Sequence, residues 1–87
     1  MKQSKEKYLK GLKQYFESKL FSFYQHDLMT LNEVDIMLKM VIHQADLKIK
    51  VDDVYTLYEE LFNETDPLKY SPFKLADVLV NLTVDDR

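Results

Sequence analysis

The stretch TLNEVDIMLKMVIHQADL, Thr30 to Leu47, decides how this chain folds. It opens with Thr30-x-x-Glu33, a capping box. The Thr30 hydroxyl can accept the N–H three residues on, while the Glu33 carboxylate reaches back to the Thr30 N–H. At about 100° per residue, Leu31, Val34, Met37, Leu38, Val41, Ile42 and Ala45 share one apolar face. Ile36, Met40 and Leu47 make a second, narrower stripe on nearly the opposite side. A helix that is apolar on two sides is either covered by neighbours on both or holds a contact with another chain.

Working outward, Leu47 to Val51, LKIKV, alternates like a strand but has no partner strand elsewhere in the chain. It reads as an extended connector that tucks Ile49 and Val51 toward the core. Asp52 is the expected cap of a third helix, in which Val54, Tyr55, Leu57, Tyr58, Leu61 and Phe62 share a face. Asp52 and Asp53 lie at the positive end of that helix's dipole, so structure explains the acidic pair without catalysis. Asn63-Glu64-Thr65-Asp66-Pro67 is a loop, with a single turn expected from Pro67 to Tyr70. Ser71-Pro72 then opens the last helix, where Leu75, Ala76, Val78, Leu79 and Leu82 face inward and Phe73, Val80 and Val84 widen the apolar arc.

On the N-terminal side, residues 4–24 read as a first helix capped by Ser4. Tyr8, Leu9, Leu12, Tyr15, Phe16, Leu20 and Phe23 form its apolar arc, and Phe21 projects from the polar side. Gly11 falls inside this helix, at a cost of about 1 kcal/mol relative to alanine. The expected fold is therefore all-α: one domain over 1–87, a compact bundle of helices at about 4–25, 30–46, 52–63 and 71–82, with frayed ends at 1–3 and 84–87.

Composition removes most chemistry. The 87 residues include no Cys, which excludes disulfides, thiolate metal sites and Cys nucleophiles. With a single glycine, Gly-rich phosphate loops, dinucleotide fingerprints and nucleophile elbows are absent. His43 and Asp46 are i,i+3 neighbours with Asp35 nearby, but they lack the ligand spacing of a metal site. Glu59-Glu60 and Asp85-Asp86 are adjacent pairs and diverge, unlike catalytic carboxylates that face one another. No enzymatic activity, metal or cofactor is expected. No apolar run reaches the roughly 18 residues of a membrane span, so a soluble cytoplasmic protein is expected.

Charge is unevenly spread. Residues 1–24 carry six Lys against Glu6 and Glu17, while the remainder is strongly acidic and the net charge is −3. A Lys-rich first helix keeps nucleic acid in view through Lys7, Lys10 and Lys13. Residues 43–62 also outline a degenerate helix-turn-helix. Its second helix, however, exposes Asp52, Asp53, Glu59 and Glu60 toward what would be phosphate. The favoured expectation is a small protein-binding module, a regulator, inhibitor or adaptor of the kind that mobile elements also encode. The nucleic-acid-binding regulator is the alternative. Contact residues are expected at Phe21, Ile36, Met40, Phe73 and Val80, with a homodimer as one form of the interaction.

Overall fold

The computed structural model describes residues 2–23 and 30–85, with side chains described over 7–22 and 30–84. Four helices follow one another: α1 (Lys2–Phe23), α2 (Leu31–Gln44), α3 (Val51–Phe62) and α4 (Pro72–Asp85), with a 3-10 turn at Pro67–Lys69 before the last. The expected all-α bundle is the observed fold, and no strand occurs among the described residues. Residues 24–29, where the expected boundaries put the end of the first helix and its connection to the second, and the Phe23 side chain lie outside the described residues.

The capping box forms as its spacing requires. The Glu33 N–H donates to Thr30 Oγ1 at 3.1 Å, and the Thr30 N–H donates to Glu33 Oε1 at 3.0 Å. At the other end α2 stops in a Schellman motif. Asp46 takes a left-handed φ of 53°, so that its N–H reaches the His43 carbonyl and the Leu47 N–H reaches the Ile42 carbonyl. This chain puts Asp46 and, after α3, Asn63 (φ 55°) in the left-handed caps where glycine is commonest.

Three boundaries differ from expectation. Helix α1 already includes Lys2, which places Ser4 inside it and not at a cap. Helix α3 starts at Val51, with extended Lys50 as its N-cap and no side-chain cap. Asp52 and Asp53 are therefore first-turn residues, still at the favourable end of the dipole. Helix α4 runs to Asp85, a turn beyond the expected Leu82, with Thr83 Oγ1 donating back to the Leu79 carbonyl. The loop is built as read: Asp66 Oδ1 accepts the Leu68 N–H, and Pro67 starts the 3-10 turn.

The core is Phe16 and Leu20 of α1, Val34, Met37, Leu38, Val41 and Ile42 of α2, Val54 and Tyr58 of α3, Tyr70, and Leu75, Ala76, Val78 and Leu79 of α4. No polar or charged residue is buried among the described ones. Each fully buried aliphatic or aromatic side chain contributes about 1.5–3 kcal/mol by transfer from water, so this set is the main source of stability. Leu47, Ile49 and Val51 pack against it, as the connector reading required. Helix α4 packs chiefly on α1 and α3, while α2 closes over α1, α3 and the 3-10 turn. Lys13 pairs with Asp77 and Phe21 with Phe73, so α1 and α4 run antiparallel.

Two residues assigned to the apolar arc of α1 are not core. Tyr8 and Tyr15 are 60% and 39% exposed, because the arc is wider than its neighbours can cover and Phe16 and Leu20 take its buried centre. Leu31 and Leu61, expected inward on α2 and α3, are likewise exposed.

Candidate functional site

Contact residues read from the sequence fall into two places. Phe21 and Phe73 meet across the α1–α4 seam, edge to face, with ring centroids 4.9 Å apart. They remain 40% and 55% exposed. Pairing brings each ring the quadrupole contact it lacks alone, yet leaves most of the outer faces in water. One helical turn along α4, Asp77 accepts from Lys13 at 2.9 Å, and that carboxylate keeps the Lys13 ammonium above its usual pKa. Val80, on the same α4 stripe, is partly buried against the core and contributes less open surface.

The second place is the outer face of α2, where Ile36 and Met40 are exposed one turn apart. Leu47, grouped with them by angle, turns inward after the Schellman motif and packs against the core.

A feature that sequence spacing could not give lies between α2 and α3. Tyr55 donates its hydroxyl to Asp35 Oδ1 at 3.1 Å, and Lys39 pairs with Asp35 Oδ2 at 2.9 Å. Lys39, with Tyr55 second, holds the Asp35 carboxyl below the usual carboxylate range. Burial, reinforced by Asp35, pushes the Tyr55 hydroxyl well above the ordinary tyrosine value. Asp35 and Tyr55, together with exposed Leu31 and Asn32, line an open depression of about 480 Å³. Both carboxylate oxygens already have partners, so this is a bracing contact between helices with a shallow apolar lip. The only local signal was the i,i+4 spacing of Asp35 and Lys39; the Tyr55 contact spans twenty residues.

Of the basic residues read as nucleic-acid candidates, Lys13 is tied to Asp77, while Lys7 and Lys10 are exposed on α1. Helix α3 presents Asp52, Asp53, Glu59 and Glu60 to solvent. No group of three or more His, Cys, Asp or Glu is placed to hold a metal among the described residues. Nor is any described helix long and apolar enough to cross a membrane. The chain matches no known family model, no curated protein and no solved structure.

Proposed function

We propose that this protein is a small non-enzymatic binding module that acts on another protein as a regulator, inhibitor or adaptor. The observation that carries this reading is the Phe21–Phe73 pair. Two aromatic rings from opposite ends of the sequence are brought together at the surface and then left half in water. Aromatic residues grouped in this way are the usual anchors of protein interfaces, where truncation of one costs 2 kcal/mol or more in the strongest cases. The nearby Lys13–Asp77 pair supplies a polar edge of the kind that rims such contacts. The exposed carboxylates of α3 weigh against the nucleic-acid alternative, since they repel phosphate.

The test compares the proteins retained by the immobilised chain and by the Phe21→Ala/Phe73→Ala variant in extracts of the cell that makes it. A specific protein held by the first and lost by the second, with both variants melting at similar temperatures, is the expected result. Identical retention by the two would sink the assignment of the seam.

A further inference from the structure

Gly11 is the only glycine of the chain, and it lies in the middle of α1. A mid-helix glycine weakens a helix relative to alanine, so it is ordinarily explained by a backbone approaching too closely for a Cβ. Among the described residues that explanation fails: a Cβ built on Gly11 meets none of them within 4 Å. The residues one turn away on either side are Lys7, Tyr8, Gln14 and Tyr15, all exposed. Gly11 is thus a bare step on an exposed face of α1, with the Tyr8 and Tyr15 rings along one flank and Lys7 and Gln14 along the other. Lys19, one turn beyond, lies over the Tyr15 ring at 5.6 Å from its centroid and adds a cation at that end.

We propose that this face of α1 is a second docking surface, and that it takes an acidic amphipathic helix of the partner protein. The inference rests on the protein-binding reading above and names the partner's chemistry. The bare backbone at Gly11 lets a partner helix approach closely, the Tyr8 and Tyr15 rings pack along one flank of it, and Lys7 and Lys19 meet its carboxylates. Charge selects this occupant over a second copy. An isologous contact would set the Lys-rich α1 against itself, with like charges opposed. Such a contact has only Glu17 to offset Lys7, Lys10 and Lys19 among the described side chains of α1, since Lys13 is engaged with Asp77.

The experiment selects a displayed library of 20-residue helical peptides, with an apolar seam and randomised flanks, on the immobilised full chain. Binding of the enriched peptides is then measured by fluorescence polarisation. Flanks enriched in Asp and Glu are expected. Affinity should fall about tenfold or more with Gly11→Leu and with the Lys7→Glu/Lys19→Glu pair, and stay unchanged with Thr65→Ala in the exposed loop before α4. A folding control comes with the design: since no described residue opposes a Cβ there, Gly11→Ala should raise the melting temperature by roughly 4–8 °C. Peptides with no acidic bias, or binding indifferent to Gly11→Leu, would overturn the inference. If binding ignored Gly11→Leu but vanished with Phe21→Ala/Phe73→Ala, the α1 face would fall while the protein-binding reading stood. Displacement of the selected peptides by a 20-nucleotide single-stranded DNA of higher affinity would overturn it in favour of nucleic acid. Concentration-dependent self-association that is blocked by Gly11→Leu would overturn it in favour of a second copy.

Discussion

Asp35 ties α2 to α3 through the Tyr55 hydroxyl. Lys39 and Tyr55 keep its carboxyl below the usual range, while burial keeps the hydroxyls of Tyr55, Tyr58 and Tyr70 above theirs. The two kinds of shift act at opposite ends of the pH scale. Because the folded carboxyl titrates below the unfolded one, Asp35's contribution is complete above about pH 4 and disappears as pH falls through the folded value. The tyrosines contribute fully below about pH 10, where both states are neutral, and lose that contribution as pH rises toward their folded values. Thermal melts of the native chain should therefore fall off below pH 4 and above pH 10. Asp35→Asn should flatten the acid limb and leave the alkaline limb in place; parallel acid limbs for the two proteins would refute the role given to Asp35. At neutral pH, Tyr55→Phe should cost about 1 kcal/mol, the ordinary value of one hydrogen bond, read from urea denaturation.

At the scale of elements, Tyr58 joins α3 to the segment that leads into α4. Its ring is buried, stacks on Tyr70 at 3.9 Å between centroids, and its hydroxyl accepts the Ser71 N–H at 3.0 Å. Ser71 is the residue before Pro72, the first of α4, so this one bond helps place the start of the last helix. Tyr58→Phe keeps the stacked ring but leaves a part-buried N–H without its acceptor, and should destabilise the fold by about 1–3 kcal/mol. A loss indistinguishable from zero in chemical denaturation would show that water replaces the hydroxyl there. The same comparison explains what the sequence revealed. The capping box at Thr30, the Asp66-Pro67 turn and, Leu31 apart, the inward face of α2 depend on residues at most four apart, and all were legible. Tyr58 with Ser71, Asp35 with Tyr55, and Phe21 with Phe73 are set by how helices cross, and no local spacing encodes them. Tyr8 and Tyr15 failed for a related reason: angular position marks them apolar, but only the placement of the neighbouring helices decides how wide an arc is covered.

For the whole molecule, α4 packs on α1 and α3, and Ile36 and Met40 of α2 stay exposed. A homodimer through them can be weighed by area. Helix α2 has 14 residues and is about 21 Å long at 1.5 Å per residue. An antiparallel pairing about its midpoint would set each Ile36 against the Met40 of the other copy, an isologous contact two side chains deep. A contact that small lies well below the roughly 1,000 Å² expected of a specific, stable interface. It also lacks the aromatic anchors that α1 and α4 carry. Sedimentation equilibrium should accordingly find a monomer at about 10 μM, with reversible association only toward millimolar concentrations, the range in which binding is worth about 4 kcal/mol. Met40→Asp should abolish that weak association, because each copy would then bury a carboxylate against an isoleucine with no cation opposite it. A dimer already complete at 10 μM and unmoved by Met40→Asp would place self-association on another face. Of the exposed aromatic surfaces, the Phe21–Phe73 seam is then the one to hold it, because self-pairing of the Tyr8 and Tyr15 face would oppose the lysines of α1.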